Sequence, residues 1–111
     1  MTATSNAAQT ISIAVADAPE RERYEIYVDG ELAGFTLYKT RPGIIAFIHT
    51  EVEERFQGRG LGERLLAYAL DDARNRGLAV LPFCPFMRSF IQSHRDYVDL
   101  VPENLREAFD L

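Results

Sequence analysis

Apolar residues in this chain alternate in short runs between residues 11 and 38, are continuous over 44 to 48, and take helical spacing from residue 61. The switch falls on Gln57-Gly58-Arg59-Gly60-Leu61-Gly62. Period two buries one face of a strand, whereas spacings of three and four bury one stripe of a helix. A period that changes at alternate glycines places strands before that turn and a helix directly after it. Upstream, Ile11-Ser12-Ile13-Ala14-Val15 predicts a short strand that Ala18-Pro19-Glu20 interrupts. Tyr24, Ile26 and Val28 share the buried face of the next strand, with Arg23, Glu25 and Tyr27 on the other. Asp29-Gly30 is a strong hairpin signal, residues 32 to 38 return, and Arg41-Pro42-Gly43 makes a second turn. The apolar run over residues 44 to 48 predicts a central strand over 44 to 52, buried on both faces.

Downstream, Leu61, Leu65, Leu66, Ala69, Leu70 and Ala73 mark one stripe of a helix over residues 61 to 76, with Gly77 in place for a left-handed C-terminal residue. Asp71 and Asp72 fall on its solvated side, Asp72 four residues before Arg76. A strand over 78 to 83 follows, then a helix from Pro85 capped by Cys84. Met87, Phe90, Ile91 and His94 share one face of that helix, and Phe86 and Phe90 read as core. A last short helix is expected over 102 to 109. The fold class is α+β: a mostly antiparallel sheet with one strand–helix–strand crossover.

At 111 residues the chain is the size of one domain, expected over 11 to 111 behind a loose tail over 1 to 10. A net charge of −5 gives no long-range pull on nucleic acid or anionic lipid, so neither is an expected partner. One cysteine and two distant histidines, His49 and His94, offer neither a disulfide nor a metal cluster. The longest apolar run is far below the roughly 20 residues that span a bilayer. With no basic, apolar leader pattern at the N-terminus, the expected location is the cytoplasm. Nothing in the sequence sets the oligomeric state.

Gly58, Gly60 and Gly62 allow a tight turn whose N–H groups converge, with no Cβ in the way of an anion. The helix that starts there adds its dipole and unpaired donors, and Arg59 and Arg64 add charge. A phosphate site and a plain tight turn both satisfy these glycines. The spacing fits neither a Walker A loop nor a dinucleotide fingerprint.

It does fit Gln/Arg-x-x-Gly-x-Gly/Ala, through Gln57, Gly60 and Gly62, and here the chain resembles the acetyl-CoA-dependent N-acetyltransferases of the GNAT superfamily. His49-Thr50-Glu51-Val52, Gly58 to Gly62, Ala69 to Arg74, Cys84-Pro85-Phe86 and Tyr97 to Val101 follow in order, as in the short, stand-alone yjdJ-type members. Glu53-Glu54 and Arg95 depart from prolines common in those relatives. The resemblance implies the minimal GNAT fold, acetyl-CoA as co-substrate with Gln57, Gly58, Arg59, Gly60, Leu61 and Gly62 around its diphosphate, and transfer of acetyl to an amine. Small amine, polyamine, lysine side chain and protein N-terminus are all open as acceptor. A non-catalytic acyl-CoA-binding module and a small interaction domain are the competing readings.

Three residues are the catalytic candidates. Cys84, at a helix N-terminus that stabilises a thiolate, suits a covalent acetyl carrier, as the Cys-Pro-Phe relatives suggest; its bland alternative is a small buried hydrophobe. His49 and Glu51, two apart on one strand face, suit proton removal from the amine; the alternative is a rim histidine beside a solvated carboxylate. Tyr97 resembles a leaving-group acid only in approximate position, and a core or edge tyrosine is the simpler reading.

Overall fold

Tyr24, Ile26 and Val28 are buried on one face of their strand, as the alternation requires. In the computed structural model, which describes residues 11 to 111, that strand belongs to a five-stranded sheet ordered β1-β2-β3-β4-β5. The strands are β1 (Ile13–Ala18), β2 (Arg23–Val28), β3 (Glu31–Arg41), β4 (Ile44–Val52) and β5 (Ala79–Pro82). The first four are antiparallel; β5 returns parallel to β4 after the crossover helix α1 (Leu61–Asn75). Helix α2 (Pro85–Ser93) follows. The tail expected over 1 to 10 lies outside the described residues. Among the described residues, no helix is long and apolar enough to cross a membrane, and no three His, Cys, Asp or Glu side chains converge on a metal position.

The α1 stripe is buried as read, from Leu61 and Leu65 through Ala73, against Tyr24, Tyr38, Ile45 and Phe47 of the sheet. Gly77 follows the helix with φ +69°, which only glycine adopts without strain. The Asp29-Gly30 hairpin has positive φ at both residues, the twist that suits a two-residue turn.

Four expectations need correction. Strand β1 runs from Ile13 to Ala18, further than residue 15, because β2 offers a partner to each residue as far as Ala18↔Arg23. Strand β4 is interior but not buried on both faces: Ile45 and Phe47 are buried, Ile44 and Ala46 half-buried, and Ile48 is 43% exposed. Pairing steps from Leu37↔His49 to Tyr38↔Phe47, so Ile48 is a bulge that leaves the alternation. The helix expected over 102 to 109 is two 3-10 turns, Glu103–Leu105 and Glu107–Phe109, whose amides bond three residues back. So short a stretch gains little from α-helical propagation. Asp72 is not simply solvated: it pairs with Arg76 at 3.0 Å, as its spacing foretold, but also accepts the buried Tyr24 hydroxyl. Burial first, then Asp72, holds that hydroxyl in its protonated form.

Glu25, on the face away from α1, is only 2% exposed. Its carboxylate accepts bonds from Arg21 Nε (2.9 Å), Arg23 Nε (2.7 Å) and the Tyr27 hydroxyl (2.6 Å). The Arg21 hydrogen bond chiefly, with those from Tyr27 and Arg23, lowers its pKa to about 2. A depressed carboxylate contributes stability that is complete above its ordinary value of 4.5 and disappears as pH falls toward about 2. Glu25→Gln is therefore expected to cost about 2 kcal/mol at neutral pH, allowing for screening at the half-exposed Arg21. Denaturant unfolding of both proteins across that acid window checks it: the gap should close as pH falls, and a constant gap contradicts the assignment.

Candidate active site

The loop after β4 is built by its own sequence. A 3-10 turn, Glu54–Phe56, buries Phe56 and reverses the chain. Gln57 Nε2 donates to the carbonyl of Val52 at 3.0 Å and ties the loop to the end of the strand. Gly58 (φ +80°) and Gly60 (φ +74°) take left-handed conformations that L side chains avoid. Arg64 N–H is the first amide to find a helical acceptor, the Gly60 carbonyl at 3.1 Å. Among the described residues, the amides of 58 to 63 have no protein acceptor. A run of free N–H groups at a helix N-terminus is an arrangement that can receive an anion, and the loop forms a cradle of that shape.

The cradle opens into a cleft of about 750 Å³, walled by β4 at Thr50, Glu51 and Val52, by the loop, and by Phe86 of α2. Gln57, Gly58, Gly60, Leu61 and Gly62 are in that wall; Arg59 stands beside it, its guanidinium 5.6 Å from the Phe56 ring. Glu51 and Glu63 also face the cleft, so attraction for an anion comes from the amides and helix dipole, with Arg59 alongside.

Gly62 acts differently from the other two glycines. Its φ is ordinary, but a Cβ there would lie 2.7 Å from Phe86 Cζ. Phe86, read as core, is instead 38% exposed and lies against the loop. The reason is position: Pro85 starts α2 at the cleft, so the next side chain meets the cleft rather than the interior.

Pairing of β4 with β5 ends at Phe47↔Pro82, while β4 runs on to Val52. The two strands part there, and Cys84 N–H bonds to the Phe47 carbonyl at 2.9 Å, at the fork. Cys84 is the N-cap of α2, 2% exposed, with no capping bond from its own side chain. Its Sγ instead lies 3.3 Å from Thr50 Oγ1, and that hydroxyl is 2.9 Å from Thr36 Oγ1. Neither threonine was singled out by sequence reasoning. Thr50 lies between His49 and Glu51 in the same tetrapeptide, but no period flags a hydroxyl whose partner is thirty-four residues away.

His49 Nε2 and Glu51 Oε2 are 2.8 Å apart and both side chains are about half exposed. Thr36 and Thr50 point toward α1, as Tyr24, the register partner of Thr36, does through its bond to Asp72. Neighbouring residues on a strand project oppositely, so His49 and Glu51 lie on the face away from α1. The structure thus joins Cys84 to the cleft through Thr50, joins His49 to Glu51, and sets the two groups on opposite faces of β4. Tyr97 donates to Asp71 at 2.8 Å, and burial first, then that bond, pushes its hydroxyl up to about 12. Asp71 lies about 15 Å of helix rise from Leu61, so Tyr97 is an edge tyrosine remote from the cradle. His94 stacks on Phe90 at 4.1 Å and bonds its carbonyl, a packed rim histidine.

A family model described as GCN5-related N-acetyl-transferase matches residues 23–100. The solution structure of a GCN5-like protein from Staphylococcus aureus superposes with a TM-score of 0.63 at 20% identity, over 80% of this chain and 87% of that one. The ribosomal-protein-S18-alanine N-acetyltransferase of Escherichia coli gives 0.53 at 16% identity, over 64% of each chain. A ribosomal-protein-alanine N-acetyltransferase of Brucella melitensis biovar Abortus 2308 gives 0.50 at 21%, over 72% of this chain and 61% of that one. This chain thus spans less than two thirds of either ribosomal-protein enzyme, and at such identities the likeness is one of fold. No curated protein matches it. The sheet, crossover and parted strands are the minimal GNAT fold expected from the sequence. With the family model running from the first residue of β2 to the turn beyond α2, the chain belongs to the GCN5-related N-acetyl-transferase family and is an acetyltransferase by that membership.

Proposed function

We propose that the protein binds acetyl-CoA with its diphosphate on the amides of Gly58 to Gly62 and passes the acetyl group to an amine through Cys84. The observation that carries this is the run of unpartnered amides opening a cleft whose wall, at Thr50, touches the only thiol in the chain. Gln57 keeps the loop in shape through Val52, and Arg59 adds positive charge beside it. In the first step the Cys84 thiolate attacks the thioester carbonyl; the new C–S bond forms as the bond to CoA breaks, and CoA leaves as thiolate. In the second, an amine attacks acetyl-Cys84, its proton goes through water to His49 or Glu51 on the other face of β4, and Cys84 is released as the thiolate.

A direct transfer from CoA to the amine, with the His49–Glu51 pair as base, is the second reading. The burial of Cys84 favours it. Intact-mass measurement after mixing with acetyl-CoA, without amine, separates the two. A gain of one acetyl mass on Cys84 is expected; steady CoA release to amines with no acylated protein at any time overturns the covalent route. On either route His49→Gln should lower amine-dependent turnover by about tenfold to a hundredfold near neutral pH and change the pH–rate profile. An unaltered profile removes His49 from the site.

A further inference from the structure

We infer that Thr50 and Thr36 form a two-hydroxyl relay that positions and stabilises the reactive form of Cys84, an inference that rests on the acetyl-Cys84 reading. The geometry is a chain with one end in the core and the other at the thiol. Thr36 is fully buried, and its hydroxyl meets Thr50 Oγ1 at 2.9 Å. Thr50 Oγ1 in turn meets Cys84 Sγ at 3.3 Å, inside the distance expected of a bond to sulfur. The register pair Thr36↔Thr50 fixes both backbones, so neither hydroxyl depends on a mobile loop.

Each hydroxyl has one proton to donate, and that sets what the chain can do. When Cys84 is a thiol, its S–H can donate to Thr50 and Thr50 to Thr36. When the thiol loses its proton to solvent, both hydroxyls turn over. Thr36 then donates to Thr50, and Thr50 donates to the sulfur anion. In the thiolate state both hydroxyl protons are used within the chain, and the anion gains a charge-assisted bond made stronger by a polarised neighbour. The thiol state has three protons for two contacts, so the chain matches the ionised sulfur better. No buried side-chain nitrogen or oxygen among the described residues lacks a partner, and for Thr36 Oγ1 that partner is Thr50. The Cys84 side chain does not cap its own helix, which leaves the sulfur free for this partner and the acyl group. Thr50 and Thr36 are positioning residues: they act through Cys84.

Thr50→Val keeps shape and volume and removes the donor. The charged groups around the thiol stay as they are: Arg88 one turn along α2, Glu63 at the cleft, and Glu51 at the cleft's edge, paired with His49 on the face of β4 away from α1. The test follows the ionisation of the single thiol by thiolate absorbance, with Cys84→Ala as blank, and measures acylation by acetyl-CoA separately by intact mass. For Thr50→Val the thiolate curve should move to higher pH by about one unit, and acylation at neutral pH should fall about tenfold. Thr50→Ser should restore both, and Thr36→Val should move both by a smaller amount in the same direction. Melting curves confirm that each variant is folded. Superimposable thiolate curves for wild type and a folded Thr50→Val overturn the relay. If the curve moves but the wild type never acquires an acetyl group, the relay stands and the acetyl-Cys84 reading fails; the two failures are thus told apart.

Discussion

Gly62→Val is expected to abolish the CoA-induced stabilisation that the proposed site predicts for the wild-type protein. The first atom of the new side chain would lie 2.7 Å from Phe86 Cζ, a separation that Cβ atoms do not tolerate. Phe86 is 38% exposed, so its ring can swing aside at moderate cost, about 1 to 3 kcal/mol as overpacking goes. The space it swings through is the cleft itself, because Phe86 and Gly62 both line it. The fold should survive and the cleft should fill. Thermal melting with and without CoA checks this: the variant should melt somewhat below wild type and show no rise with CoA. Removing the ring as well, in Gly62→Val with Phe86→Ala, should bring part of the rise back. A full CoA response in the single variant would mean the ligand lies elsewhere.

Cys84→Ser is expected to separate stability from activity. Serine is a better N-cap than cysteine, since its oxygen can accept from the first free amides of α2; this is worth about 0.5 to 1 kcal/mol. Cys84 makes no such bond. Stability should therefore hold or rise slightly. A serine hydroxyl is un-ionised at neutral pH and a far weaker nucleophile than a thiolate, so acylation should fall by at least about a hundredfold. Cys84→Ala should abolish acylation altogether and cost about 1 kcal/mol or less, because only one sulfur atom is lost from the fork. Undiminished amine acetylation by a well-folded Cys84→Ser would assign Cys84 to packing and leave direct transfer as the mechanism.

Much of the fold was legible because its determinants are local. Tyr24, Ile26 and Val28 on one strand face, the stripe from Leu61 to Ala73, and Gly77 beyond it each record a burial period or a backbone conformation in neighbouring residues. The tight turn of the loop was legible for the same reason, as Gly58 and Gly60 need positive φ. What escaped depends on distant partners. The bulge at Ile48 arises from β3–β4 registry, and five apolar residues in a row gave no hint that one leaves the core. Glu25 was placed only on the face opposite Tyr24, and nothing local showed that Arg21, Arg23 and Tyr27 fold over it. Phe86 read as core because it is apolar; only the start of α2 beside Gly62 tells where its ring goes. His49 and Glu51 were read correctly as sharing a face, but which face follows from Thr36 opposite Thr50.

Calorimetric titration with CoA and with pantetheine tests most directly whether the backbone amides of Gly58 to Gly62 hold a diphosphate. Pantetheine carries the thiol arm of CoA but no diphosphate. Binding raises the melting temperature in proportion to RT ln(1 + [L]/Kd), so the same pair can be read by melting. The expected result is saturable binding of CoA with a rise in Tm, and little or none for pantetheine at equal concentration. Equal responses to the two ligands, or no response to CoA, would contradict the claim.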